Sequence, residues 1–375
     1  MTDYRHGLLI GKFYPPHQGH HDLIRQIARQ CDEVTVLAMK SAAETIPLTD
    51  RMAWLRAEHP DVRIAGIPCD APLDVTDDQV WAAQVAAMRA GLRAAGASQP
   101  VDAVYCGDSY GPELARRFGA VSVPVERTPL SATAVRRDLA GRWQDLAPAT
   151  RAGLATRVVV LGAESTGTTT IAQALADHYA ARGGEWANTR CVPEYGREYT
   201  ELNWAAQPDR ALDEITWDAD DFDTVAIEQT RREQAAARSG SPLLICDTDA
   251  FATAIWERRY LGAAARPAQP WTEVPPRAVY LLTDHIGVPW HDDGLREGDL
   301  TIRAAMTDWF ADELTRAGHS WVLLTGPLQQ RLNLAIRTVD PLLALAMRFG
   351  EPMHGPGFEP TPDQQPRSRF HQPTR

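Results

Sequence analysis

Several things are scarce in this sequence. Its five cysteines are scattered, with no Cys-x-x-Cys pair and no zinc spacing, which argues against a structural zinc module and a disulfide-stapled scaffold. No apolar run is long enough to span a bilayer, and residues 1–6 are polar where a signal peptide needs an apolar core. Positive charge is in deficit. Lys and Arg number 38 against 49 Asp and Glu, a net charge of -11, which argues against a general nucleic-acid binder but leaves room for local phosphate sites. A cytoplasmic protein with reduced thiols is expected. What is present is 375 residues, 44% hydrophobic and 23% charged, enough for two or three domains that each bury a core.

The chain is organised around residues 8–20, an apolar run followed by Gly11-Lys12-Phe13-Tyr14-Pro15-Pro16-His17-Gln18-Gly19-His20. The pattern predicts a strand, a turn and a helix over 20–31. A helix N-terminus at such a junction can receive phosphate. His17 and His20, three residues apart, share a face of the first turn. Gly19 between them lets a phosphate approach the backbone.

Strands are predicted at 7–13, 34–38, 62–67, 101–106 and 121–125, and helices at 51–59 and 79–95. This alternation predicts a doubly wound, Rossmann-like parallel sheet, with ligands beyond the carboxyl ends of the strands. Ser131-Ala132-Thr133-Ala134-Val135-Arg136 opens another helix. Ser131 or Thr133 can cap it, and Arg136 can reach a phosphate with its fork. Residues 147–156, with Pro148 and Gly153, are expected to be the linker.

A second α/β cycle follows. Residues 157–161 predict a strand and Gly162-Ala163-Glu164-Ser165-Thr166-Gly167-Thr168-Thr169 a phosphate-binding loop opening a helix. The lysine of that pattern is missing, and Thr168 stands in its place. Thr169 occupies the position of the magnesium-binding hydroxyl. The backbone cradle needs only glycines and amides, so it can survive the loss. The apolar strand over 243–249 ends in acids, and Asp247 is suited to magnesium or to a substrate proton, though an acid there is often just a helix cap. A strand over 278–284 precedes a loop over 288–296, and Arg296 and Arg303 are expected in a lid over the phosphates. A strand over 322–325 and a helix over 328–348 close this half. The predicted boundaries are 1–152, 153–349 and a disordered tail, 350–375.

The first half, through residues 11–20 and 131–136, resembles the His-x-Gly-His nucleotidyltransferases, most of all the nicotinamide mononucleotide adenylyltransferases. The second half, through 162–169, Pro193-Glu194-Tyr195-Gly196-Arg197-Glu198-Tyr199 and Asp247-Thr248-Asp249, resembles ribosylnicotinamide kinases. Together, over roughly residues 7–345, the chain is similar to the bifunctional NadR-type enzymes. No segment is seen ahead of the first strand to hold a helix-turn-helix, so DNA binding is not expected.

The resemblance implies two ATP-dependent reactions with magnesium. Nicotinamide riboside becomes nicotinamide mononucleotide, and adenylyl transfer then gives NAD and pyrophosphate. His17 and His20 would bind the α- and β-phosphates, and Lys12 and Arg136 the leaving pyrophosphate. Gly11, Phe13, Gly19, Ser131 and Thr133 complete the first nucleotide site. Gly162, Glu164, Ser165, Thr166, Gly167, Thr168, Thr169, Thr170, Arg296 and Arg303 form the second. Thr169 and Asp247 would hold magnesium, with Asp247 or Glu194 the base. Trp81 is read as a core residue before a nicotinamide platform. The alternatives are another adenylyltransferase, such as one for pantetheine phosphate, fused to a nucleoside kinase, or a transferase with a degenerate nucleotide-binding second half. A homo-oligomer stays open.

Overall fold

A computed structural model of the chain describes residues 2–72, 74–126, 129–207, 209, 216–262, 275–290 and 300–352. The chain divides into two units. One holds Met1–Thr150 and the segment from Met347 on, the other Arg151–Ala346. Among the described residues, no helix is long and apolar enough to cross a membrane.

The first unit runs β1 (Tyr4–Gly11), α1 (Gln18–Gln30), β2 (Cys31–Lys40), α2 (Leu48–Glu58), β3 (Arg63–Pro68), α3 (Asp78–Ala94), β4 (Ala103–Cys106), α4 (Gly111–Phe118), β5 (Val121–Pro124) and α5 (Ala132–Arg137), and α6 (Pro148–Leu154) carries the chain across the boundary at Thr150 and Arg151. Its strands are parallel in the order β3-β2-β1-β4-β5. The order reverses beside β1, so the chain after β1 lies at the switch point where such sheets bind ligands. Helix α1 buries His21, Ile24 and Ile27 against the sheet, and this apolar stripe fixes its direction. The stretch expected to link the halves is helical in its middle, as α6, with Ala149 and Ala152 buried. Proline at its first position is compatible with a helix start.

The second unit runs β6 (Thr156–Gly162), α7 (Thr168–Ala180), β7 (Arg190–Val192), α8 (Tyr195–Ala205), α9 (Ala219–Ser239), β8 (Leu243–Asp247), α10 (Ala250–Leu261), β9 (Val279–Thr283), α11 (Leu300–Arg316), β10 (Trp321–Leu324) and α12 (Leu328–Ala346). Its parallel order is β10-β9-β6-β8-β7. Every residue of β6 is buried, as in a central strand covered on both faces. Val158, Val159, Val160 and Leu161 are at most 1% exposed. Burial of four such side chains stabilises the unit by on the order of 6–12 kcal/mol, an upper figure. The loop after β6 therefore springs from a rigid base.

The tail expected to be disordered from residue 350 begins otherwise. Gly350 accepts from the Tyr14 hydroxyl at 3.0 Å and donates to Thr45 Oγ1 at 3.3 Å, Phe349 meets the Tyr14 ring edge-on, and Pro352 is buried. Residues 353–375 lie outside the described residues.

Candidate functional site

Each sheet carries one cluster of the predicted residues at its switch point. In the first unit His17 precedes α1, and the His17 and His20 rings stack with centroids 3.7 Å apart. The backbone N–H of His17 donates to His20 Nδ1 at 3.2 Å. That bond requires an unprotonated Nδ1, so a neutral His20 carries its proton on Nε2. His17 Nδ1 is buried and has no hydrogen-bond partner among the described residues. Burial lowers the pKa of His17 to about 4 and that of His20 well below the ordinary value. Burial thus favours the neutral form of both rings, and a nearby anion would favour the charged one. Phe13, at φ +47, sets its ring 5.0 Å from His20, and a Cβ on Gly11 would come within 3.1 Å of that ring.

Lys12 and Arg136 flank this loop. Lys12 Nζ lies 3.4 Å from Glu44 Oε1, and burial lowers its pKa, with Arg136 close enough to add to the effect. Arg136 donates to the Tyr14 carbonyl at 2.7 Å and to Thr133 Oγ1 at 3.2 Å. Ser131 caps α5 through the Ala134 N–H. Gly19 lies in the first turn of α1. Trp81 is a core residue, 6% exposed, whose indole N–H donates to the Val75 carbonyl.

Sequence reading missed two buried partners here. Glu44 and Arg51 form an ion pair of 2.7 Å with both side chains fully buried, and Arg51 also donates to the Lys12 and Ile46 carbonyls. Its guanidinium lies 4.5 Å from the Tyr14 ring centre. The available signal was an arginine sharing the core face of α2 with Trp54 and Leu55, at helical spacing.

In the second unit a half-open cleft lies over the loop after β6. Gly162, Glu164, Ser165 and Thr168 line it, together with Glu194 and Asp247. The two candidate acids are therefore brought together. Thr169 Oγ1 donates to Asp247 Oδ2 at 2.6 Å. The cap of α10 is Asp249, which accepts from the N–H groups of Phe251 and Ala252, so Asp247 is not that cap.

Ser165 at φ +57 and Gly167 at φ +86 turn the loop through the left-handed region. Thr166 faces inward, donating to the Ala163 carbonyl and paired with Thr283 Oγ1, so its side chain braces the loop. Thr170 is exposed on α7. Arg303 belongs to α11 and is 6% exposed. It donates to the Glu164 carbonyl at 3.1 Å and the Ser165 carbonyl at 2.8 Å, which puts it on the carbonyl side of the loop. Arg296 lies outside the described residues. Arg331, which sequence reading missed, donates to the Thr166 carbonyl at 3.1 Å. An aromatic wall borders the cleft, with Trp217 and Tyr260 nearly parallel at 14° and 6.2 Å between centroids.

Among the described residues no group of three or more His, Cys, Asp or Glu gathers as a metal cage. The Thr169–Asp247 pair suits magnesium, which takes one or two protein oxygens and completes its shell with phosphate and water.

The AAA domain family matches residues 157–331. The trifunctional NAD biosynthesis/regulator protein NadR of Salmonella typhimurium is 25% identical over 312 residues, covering 77% of this chain and 71% of the relative. The nicotinamide-nucleotide adenylyltransferase of Methanolobus tindarius is 31% identical over 160 residues, 39% of this chain and 84% of the relative. Among solved structures, a NadR protein in complex with NR has the same fold, at a TM-score of 0.61 and 21% identity, covering 92% of this chain and 97% of that one. A NadR protein in complex with NAD and AMP-PNP gives 0.59 and 20%, covering 91% and 98%.

Proposed function

This chain belongs to the NadR-type family, its first unit to the nicotinamide-nucleotide adenylyltransferases, and from that membership we propose how it makes NAD. The second unit phosphorylates nicotinamide riboside, and the first transfers an adenylyl group from ATP to the nicotinamide mononucleotide so formed. The observation that carries this reading is that both phosphate-binding loops stand at the switch points of their own sheets.

In adenylyl transfer, a phosphate oxygen of the mononucleotide bonds to the α-phosphorus of ATP while the bond to the pyrophosphate oxygen breaks. No side-chain nucleophile is required, so the protein contributes position and charge. His20 presents Nε2–H, and His17 a buried ring nitrogen, to the phosphates at the start of α1. Lys12 and Arg136 hold the leaving pyrophosphate, and Glu44 keeps the Lys12 ammonium charged where burial works against it.

In phosphorylation, the ribose 5′-oxygen bonds to the γ-phosphorus, the bridging oxygen leaves on ADP, and the hydroxyl proton passes to a carboxylate. Asp247 is engaged with Thr169, the pair that would hold magnesium, whose charge screens the phosphates when bound. The proton therefore falls to Glu194, in the same cleft. The aromatic wall of Trp217, Trp256 and Tyr260 suits a planar cationic ring, which nicotinamide riboside carries.

The test is incubation of the pure protein with nicotinamide riboside, ATP and magnesium, with the mononucleotide and NAD followed over time. Sequential appearance of both is expected. NAD from supplied mononucleotide but none from the riboside would remove the kinase half of the reading. Preference for phosphopantetheine would remove the other half.

A further inference from the structure

The loss of the loop lysine has a physical answer in the residues behind the loop. The chain has two lysines, Lys12 and Lys40, and both lie in the first unit. Residues 151–346 contain none, so no ammonium of the second unit can stand in for the one missing at Thr168. Guanidinium groups are the remaining permanent cations. Two of them are buried against the loop, Arg303 at 6% exposure and Arg331 at 2%.

Their bonds fall on consecutive peptide groups. Arg303 donates to the carbonyls of Glu164 and Ser165, and Arg331 to that of Thr166. The N–H groups of those same peptides belong to Ser165, Thr166 and Gly167, the amides of a phosphate-binding cradle. A peptide group is one conjugated unit, so a cation on its oxygen polarises its N–H. The left-handed backbone of Ser165 and Gly167 is held by the same bonds. Further bonds fix the arginines themselves. Arg303 also donates to the Val288 carbonyl, and Arg331 to those of Gly326 and Ile286. Among the described residues, Asp284 is the carboxylate whose field reaches both.

The structure assigns to Arg303 and Arg331 the role of the missing lysine, its positive charge delivered to the nucleotide's phosphates through the loop's own peptide groups. They are positioning residues, since neither needs to touch ATP. The assignment rests on the kinase reading above and replaces a lid arginine as the source of charge.

Full-length Arg303→Gln and Arg331→Gln are compared with the parent for phosphorylation of nicotinamide riboside, each also combined with Thr168→Lys. Each single change should lower kcat about tenfold or more with the riboside KM little changed. Thr168→Lys should restore most of the loss, and Arg331→Lys should retain more activity than Arg331→Gln. Adenylyl transfer from supplied nicotinamide mononucleotide and the thermal transition confirm that each variant is folded. Parental kcat in both Gln variants overturns the assignment. So does a loss that Thr168→Lys leaves untouched in a folded protein, since a mere brace would behave that way. Should the parent form no mononucleotide from the riboside, the kinase reading fails. ATP binding by calorimetry then decides the assignment, with affinity lost in the Gln variants and recovered with Thr168→Lys supporting it and equal affinities overturning it.

Discussion

The hydroxyl of Thr169 donates to the carboxylate of Asp247 at 2.6 Å, joining residues 78 positions apart. Sheet register brings them together, because Val160 of β6 pairs with Asp247 of β8. The start of α7 and the end of β8 therefore meet beyond the same edge of the sheet.

Asp247→Asn keeps the shape of this contact and removes its charge. Riboside phosphorylation should fall by roughly two orders of magnitude or more, while adenylyl transfer from supplied mononucleotide continues. Glu194→Gln should lower kcat and abolish its rise with pH on the acid side. Kinase rates across pH for the two variants separate the roles. An unchanged profile in Glu194→Gln would return the base to Asp247.

His20→Ala should cut adenylyl transfer by roughly two orders of magnitude, as loss of a preorganised donor does. Mononucleotide should still accumulate from the riboside. NAD formation near the parental rate would refute a phosphate-binding role for this ring.

Acid should weaken the protein before its carboxylates titrate. Burial depresses His17 to about 4 and His21 to about 3, both below the ordinary 6.5. Between these values and 6.5 the unfolded chain binds more protons than the folded one, so stability falls as pH falls. It is complete above pH 6.5 and is lost as pH drops toward the folded values. At pH 5 a His17 pKa of about 4 corresponds to about 2 kcal/mol lost. Urea midpoints at pH 7 and pH 5 check this. Equal midpoints would mean that the rings are not buried neutral.

Glu44→Gln leaves Arg51 buried without its ion-pair partner. The expected loss is about 3–5 kcal/mol, the cost of stranding a buried charge. Denaturant unfolding measures it. The same change frees Lys12 from its counter-charge, so pyrophosphate affinity should shift along with stability.

Much of this was legible in the chain because it is local. Strand, turn and helix around His17 and His20, and around Gly162 to Thr169, are written in contiguous residues. Asp247 could be placed at a strand end from its apolar run. What stayed hidden depends on contacts across the fold. Arg331 looks like any helical arginine until α12 brings it to the Thr166 carbonyl. Glu44 carries no local signal for its burial with Arg51. Thr166 sits in the phosphate motif, yet its hydroxyl turns to Thr283, 117 residues away. The boundary between the units falls within 147–156, at Thr150 and Arg151, but its helical form as α6 was hidden, because buried alanines outweigh the one proline and the glycine.

The return of Gly350 to Tyr14 bears on synthesis. Translation proceeds from the N-terminus, so β1 through α5 emerge long before residues 347–352 do. Until residues 347–352 leave the ribosome, the Tyr14 hydroxyl lacks its Gly350 acceptor and one side of its ring lacks Phe349. The second unit is contiguous and can close once α12 has left the ribosome. The first half to be translated is thus the later to be finished, and a chain ending at Ala346 would hold the whole second unit while Tyr14 lacked its C-terminal partners.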